Sequence, residues 1–175
     1  MLPTKNKHKK IEKEVVKQEI PYVLFFFDRS YSFKEKSNPE KTQLGKDLQA
    51  MFQKYKDGFT YIDEETKKKV EVPPNSLEFT TYYFGAVCST DKTYSNFAGG
   101  NDPEVLLKTV KEVTQGHKAN VVILTDSDND GLSASDGVEI NGNVWLVFAN
   151  EYDSNLQLVI HGSEHTQQYF FRGIR

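Results

Sequence analysis

The chain has 175 residues, of which 37% are hydrophobic and 13% aromatic. These proportions exclude a disordered chain and predict one globular domain with a substantial core. The formal net charge is −3 at pH 7, and it hides an asymmetry: residues 1–20 carry +3, which leaves −6 for the remainder. A single cysteine, Cys88, excludes an intramolecular disulfide and favours a cytoplasmic location. We predict no signal peptide and no bilayer-spanning segment.

Residues 1–20 are interpreted as a basic arm that precedes the domain. Six lysines are interrupted by three glutamates, with no arginine or aromatic residue to stack on bases. We therefore expect no nucleic-acid binding. The pattern predicts a solvated arm or a short helix that lies on the body of the domain.

The first predicted strand is a continuous apolar run that ends in aspartate. Residues 22–32 read Y-V-L-F-F-F-D-R-S-Y-S after Pro21. Such a run favours a central strand that is covered on both faces. A helix is predicted next over Ser37–Tyr55, because apolar residues recur there at steps of three and four, and Gly58 ends it.

Strands dominate the rest of the chain, with one further helix among them. We predict a hairpin over Phe59–Val72, a strand region over Leu77–Cys88, a helix over Pro103–Gly116, and strands over Ala119–Thr125, Asn143–Phe148 and Leu156–Ile160. The alternation predicts a single α/β domain over residues 21–175, with a doubly wound, mostly parallel sheet and helices on both faces.

Two of the inner strands end in an acidic residue. Asp28 closes the first strand, and Asp126 directly follows the strand over Ala119–Thr125. Strands that flank a topological switch point bring their carboxyl ends together, so we expect both aspartates to share a crevice with the Gly99-Gly100 turn. Asp28, Ser30 and Ser32 form a D-x-S-x-S pattern whose oxygens converge on one hard cation in an extended loop.

These motifs resemble the von Willebrand factor type A (VWA) domain with its metal-ion-dependent adhesion site, and more narrowly its bacterial and phage branch. The resemblance covers roughly residues 22–162, including a V-W-L-V strand at residues 144–147. It implies that Asp28, Ser30, Ser32 and Asp126 hold Mg²⁺, or else Mn²⁺ or Ca²⁺. Asn101 stands where the family has a threonine ligand, and Arg29 and Tyr31 stand where the family favours small residues.

The resemblance implies a protein-binding or assembly module and not an enzyme. In such a site the acidic side chain of a partner protein replaces a water on the cation. The family implies partners such as AAA+ ATPases or components of larger assemblies. A metal-free structural scaffold with the same fold is an alternative.

Three other motifs predict different chemistry. Residues 126–131 read D-S-D-N-D-G like the start of a calcium loop, but position 12 is Gly137 and not a bidentate carboxylate. Asp126 and Asp128 resemble the aspartate pair of a phosphatase, although no lysine follows them. Residues 161–165 match the H-x-x-E-H motif of a zinc hydrolase, which requires both histidines on one helical face.

Overall fold

The computed structural model describes residues 20–30, 33, 39–91, 102–126, 137–149 and 156–171. Within these ranges the helices are α1 (Pro39–Asp57), α2 (Pro103–Thr114) and α3 (Leu156–Val159). The strands are β1 (Tyr22–Asp28), β2 (Phe59–Ile62), β3 (Lys69–Val72), β4 (Glu78–Phe84), β5 (Cys88–Ser89), β6 (Ala119–Thr125), β7 (Val138–Ile140), β8 (Gly142–Phe148), β9 (Ile160–Gly162) and β10 (His165–Phe170).

The central sheet has six strands in the order β10-β8-β6-β1-β4-β5. All neighbouring pairs are parallel except β4 and β5. Counted along the chain, the strand order is 3-2-1-4-5-6, and the direction of winding reverses between β1 and β6. The predicted mostly parallel α/β sheet is therefore confirmed. We call the edge where the parallel strands end the carboxyl edge, and the edge where they begin the amino edge.

The two faces of the sheet have separate cores because side chains alternate along β1. Leu24 and Phe26 belong to one cluster, together with the buried side chains of α2. Val23, Phe25 and Phe27 belong to the other, together with Phe52 of α1. Among the described residues, one helix longer than a single turn therefore covers each face, and we refer to the α1 face and the α2 face.

Helix α1 lies close to the sheet at Gly45. A Cβ atom at this position would come within 2.0 Å of the Phe27 ring, so only glycine allows this approach. Gln49, one turn later, donates hydrogen bonds to the hydroxyls of Thr81 and Tyr83 in β4. These contacts fix the distance of α1 from the sheet and its rotation about the helix axis. They thereby also fix the position of its first turn.

Most predicted elements are confirmed within one or two residues, including β1, the hairpin β2–β3, α2 and β6. The predicted strand over Leu156–Ile160 is wrong. Residues Leu156–Val159 form a helical turn, and β9 begins only at Ile160. Leu156, Val159 and Ile160 are all buried. Leu156 and Val159 are three residues apart, which fits one side of a helical turn. A short apolar run does not by itself distinguish a helical turn from a strand.

Candidate functional site

Asp28 is a wholly buried carboxyl group at the carboxyl end of β1. Its Oδ2 accepts a hydrogen bond from Thr125 Oγ1 at 2.7 Å, and its Oδ1 accepts one from the Ser30 backbone N–H at 2.8 Å. The Thr125 contact follows from the sheet register, since Phe27 of β1 pairs with Leu124 of β6. The next residues in each strand, Asp28 and Thr125, consequently lie side by side.

Burial and the negative charge of Asp126 raise the pKa of Asp28 from 3.8 to about 6. Burial is the larger cause, and hydrogen bonds from Thr125 and Ser30 act in the opposite direction. A repulsion of this kind requires the two carboxylates to be near each other. Neutral pH lies above this pKa, so the buried Asp28 carboxyl is mainly ionised there and lies near the negative charge of Asp126.

Asp126 forms a nearly buried ion pair with Lys41. The Lys41 Nζ donates to Asp126 Oδ2 at 2.7 Å, and the two side chains are 13% and 10% exposed. Lys41 lies in the first turn of α1, and Asp126 directly follows β6. The carboxyl edge thus combines two carboxylates with one ammonium group, supplied by three separate elements.

The loop after β1 is held to the start of α1. The Phe33 N–H donates to the Ser30 carbonyl at 2.9 Å, and the Phe33 ring is fully buried. Thr42 of α1 donates from its hydroxyl to the Phe33 carbonyl. Ser30 is 5% exposed, and its hydroxyl hydrogen-bonds to Asp28. Ser32 and Tyr31 lie outside the described residues.

The start of α2 lies next to the end of β4. The Asp102 N–H donates to the Gly85 carbonyl at 2.9 Å, immediately after β4. Asp102 is the N-cap of α2, and its Oδ1 accepts from the N–H groups of Glu104 and Val105 at 3.0 and 3.4 Å. One oxygen of the Asp102 carboxylate is therefore engaged by the backbone at the start of α2. Asn101 and the Gly99-Gly100 turn lie outside the described residues.

Arg29 follows Asp28 and is 8% exposed. Its guanidinium lies 5.2 Å from the centroid of the Phe27 ring, a cation–π contact on the α1 face. Its backbone N–H donates to the Phe84 carbonyl at 2.8 Å, which continues the β1–β4 ladder. The Arg29 guanidinium therefore packs on the Phe27 ring, whereas the Lys41 ammonium group contacts a carboxylate.

The described residues fit a hard divalent cation. Asp28 and Asp126 provide negative charge, and Ser30, which is 5% exposed, provides a hydroxyl oxygen beside Asp28. Oxygen ligands of this type suit Mg²⁺, Mn²⁺ or Ca²⁺, and Mg²⁺ retains several waters in such sites. The repulsion that raises the pKa of Asp28 is the kind of energy that a bound cation relieves.

The sequence analysis did not identify Lys41 as part of the site, although its place in the predicted helix is one indication of such a role. A lysine in the first turn of a helix opposes the helix dipole, which favours negative charge at that end. Asp126 compensates the charge of this lysine. Asp126 lies 85 residues away in the chain, so the pairing depends on the fold and not on a local motif.

The H-x-x-E-H sequence does not form a helix. His161 lies in β9 and His165 begins β10, so a turn between two strands separates them. His161 Nε2 is 3.3 Å from Glu139 Oε2, while the His165 ring lies 6.0 Å from that of Trp145. Across the described ranges, no group of three or more His, Cys, Asp or Glu side chains is placed to hold a metal. The helical arrangement that the zinc motif requires is therefore not formed.

The remaining acidic motif begins at Asp126. Asp128 and Asp130 lie outside the described residues, and so does most of the loop that resembles a calcium site. The lysine that phosphatase chemistry requires does not follow Asp126 in the chain. Lys41 from α1 lies beside Asp126 instead and binds its Oδ2.

Comparison with known proteins gives no relative: the sequence matches no family model and no curated protein. No helix in the described part of the chain is long and apolar enough to cross a membrane. Function is therefore inferred from the chemistry of the carboxyl edge.

Proposed function

We propose that this chain is a doubly wound VWA-type domain that binds another protein through a divalent cation at the carboxyl edge of its sheet. The observation that carries the proposal is the close pair Asp28 and Asp126 at the switch point of the sheet. Open α/β sheets bind their ligands at this position. The D-x-S-x-S spacing adds Ser30 and Ser32 as ligands, and Asn101 adds a neutral oxygen ahead of α2.

The proposed site binds a partner because its charge is incompletely compensated. Serine and asparagine ligands are neutral, so a cation held by them keeps much of its positive charge, with Asp28 and Asp126 close by. An aspartate or glutamate of the partner then replaces one water on the cation. This role is binding and not catalysis. The partners implied are cytoplasmic, such as an AAA+ ATPase or a component of a larger assembly.

Lys41 gives the proposed site a second state. Its ammonium group compensates Asp126 when no divalent cation is present. A divalent cation supplies the same compensation more strongly, so its binding competes with the Lys41–Asp126 ion pair. Removal of the Lys41 charge is consequently expected to increase the affinity for Mg²⁺ or Mn²⁺.

A metal-free scaffold is the second candidate, and the same ion pair favours it. Lys41 is a built-in cation that contacts Asp126 at 2.7 Å, so the carboxyl edge is already partly neutralised without a metal. In this case the fold serves assembly, and the aspartates serve only to connect α1, β1 and β6. The two candidates differ in their response to divalent cations.

Co-purification tests the proposed function. The tagged chain is incubated with a lysate of its source cells in Mg²⁺ or in EDTA, and the retained proteins are identified by mass spectrometry. We expect proteins that are retained only in Mg²⁺ and are lost with Asp28→Asn. Asparagine is preferred to alanine because it retains an acceptor for the Ser30 N–H. Glu164→Gln, an exposed acidic residue at the amino edge, is the matched control.

Thermal unfolding separates the two candidates. A ligand at 100 times its Kd stabilises the folded state by about 2.7 kcal/mol, so saturating Mg²⁺ or Mn²⁺ raises the Tm of a metal-binding chain. A scaffold has the same Tm with and without the cations. If proteins are retained equally by Asp28→Asn in EDTA, the cation-dependent mechanism is wrong.

A further inference from the structure

The α1 face has an open apolar groove beside α1. The groove has a volume of about 380 Å³, and its lining includes Val23, Val122, Trp145, Val147 and Tyr169 from the sheet and Met51 from α1. Met51 and Tyr169 are 45% and 46% exposed. Because α1 packs over the β1 and β4 side, the strands β8 and β10 present apolar side chains here with no described helix above them.

A groove of this kind requires an occupant. Strands of parallel sheets are normally covered on both faces, and contiguous exposed apolar surface marks a contact site. The floor strand β8 has seven residues and is about 23 Å long, at roughly 3.3 Å per residue. A helix of about 15 residues covers that length, at 1.5 Å per residue.

Only one stretch of the chain outside the described ranges is long enough. Residues 1–19 precede β1, whereas the stretches 92–101, 127–136, 150–155 and 172–175 contain ten residues or fewer. The long stretch also enters the domain at the correct place. It leads through Ile20 and Pro21 into β1, and Val23, two residues further, lines the groove.

The sequence of the arm suits an apolar groove on an acidic domain. Ile11 and Val15 are four residues apart, so a helical turn places them on one side. The lysines fall mainly on the other side. The arm carries +3 against −6 for the remainder. Asp47, exposed and one turn before Met51 on α1, provides negative charge near the groove.

We propose that residues 1–19 of the N-terminal arm fold back as an amphipathic helix and cover this groove, with Ile11 and Val15 against Trp145 and Tyr169. The arm is then part of the domain's core and not a solvated extension. This inference does not depend on the cation site, which lies at the carboxyl edge of the sheet.

Trp145 is the only tryptophan in the chain and reports directly on the groove. The full chain is compared with a chain that begins at residue 20, by tryptophan emission and acrylamide quenching. Loss of the arm is expected to shift the emission maximum to longer wavelength and to increase quenching. A synthetic peptide of residues 1–19, added to the shortened chain, is expected to reverse both changes.

Point variants in the full chain cover the case in which the shortened chain does not fold. Val15→Asp places a charge in the apolar set and is expected to increase quenching of Trp145. Asn6→Asp adds the same charge outside that set and is the matched control, with no change expected. Equal quenching in the full chain, the Val15→Asp variant and any folded shortened chain would overturn the proposal.

Dilution distinguishes the arm from a second copy of the chain. An arm that covers its own groove protects Trp145 equally at all protein concentrations, as the proposal requires. Protection that disappears on dilution, together with a decrease in mass by light scattering, would assign the groove to a second copy and overturn the proposal.

Discussion

The two edges of the central sheet hold their charges in opposite ways. At the amino edge, Lys118 and Glu164 form an ion pair of 2.9 Å whose side chains are 62% and 48% exposed. At the carboxyl edge, the Lys41–Asp126 pair is 13% and 10% exposed and lies near the wholly buried Asp28. Strand β6 connects these regions, because Lys118 directly precedes it and Asp126 directly follows it.

The comparison separates exposed ion pairs, which are common on protein surfaces, from buried charges, whose presence requires a structural or functional explanation. Exposed ion pairs contribute about 0–1 kcal/mol, because solvent screens them and long side chains lose entropy. Buried charges lose their hydration. Replacement of a whole buried ion pair by apolar residues therefore often leaves the stability of the fold unchanged or increases it. Perturbed acids at the ligand-binding edge of an α/β sheet are therefore candidates for function.

The Lys41→Met substitution is expected to have the largest effect. It keeps an unbranched apolar side chain but leaves the nearly buried Asp126 without the Lys41 ammonium group. Removal of one partner of a buried pair costs about 3–5 kcal/mol, so we expect a loss near the lower value in the free energy of unfolding. Urea denaturation in EDTA measures it. A loss below about 1 kcal/mol would place this pair with exposed ones.

The pH dependence of stability isolates Asp28. Its pKa is about 6 in the folded state and 3.8 in the unfolded state, so the folded state binds more protons between these values. The free energy of unfolding therefore falls as the pH rises from about 4 to about 6, by about 2 kcal/mol over this range. Denaturation of the wild type and of Asp28→Asn at several pH values in this range measures how the free energy of unfolding of each depends on pH. The same pH dependence in both proteins would contradict the raised pKa of Asp28.

Gly45→Ala tests whether the position of α1 maintains the carboxyl edge. The added Cβ would lie 2.0 Å from the Phe27 ring, so α1 has to move outward together with Lys41, one turn earlier. Overpacking of this kind costs about 1–3 kcal/mol. Thermal unfolding measures the loss. If the substitution leaves the Tm unchanged, α1 does not pack as closely as described.

The smallest effect is expected at the amino edge. Lys118→Met removes the exposed partner of Glu164, so the free energy of unfolding changes by about 0–1 kcal/mol. Urea denaturation next to Lys41→Met gives the comparison directly. Similar losses in both variants would show that the two edges do not differ in the way proposed here.

The sequence was sufficient to predict the parts of the fold that carry their own signal. The strands β1 and β6 each contain an uninterrupted apolar run, and Asp28 ends β1 while Asp126 directly follows β6, as predicted. Parallel pairing of these strands then places Asp28 beside Thr125 and near Asp126. Buried strands of this type are predictable because burial on both faces favours apolar residues at successive positions.

Other features depended on contacts that no local pattern specifies. The edge strand β10 reads H-T-Q-Q-Y-F, and its polar side chains gave no strand signal although Phe170 stacks on Phe148 at 5.2 Å. The Lys41–Asp126 pair joins residues far apart in the chain. The sequence contains many lysines, and no local pattern indicates which of them pairs with Asp126. The close packing of α1 on the sheet at Gly45 places Lys41 there.

Direct titration with Mn²⁺ is the most decisive test of the proposed cation site. The metal-free chain is titrated at a pH above the pKa of Asp28, and free Mn²⁺ is followed by electron paramagnetic resonance. The proposal predicts one saturable site in the wild type and in Glu164→Gln, tighter binding by Lys41→Met, and loss of the site in Asp28→Asn. Equal binding by Asp28→Asn and the wild type, or no saturable binding by any of these chains, would contradict it.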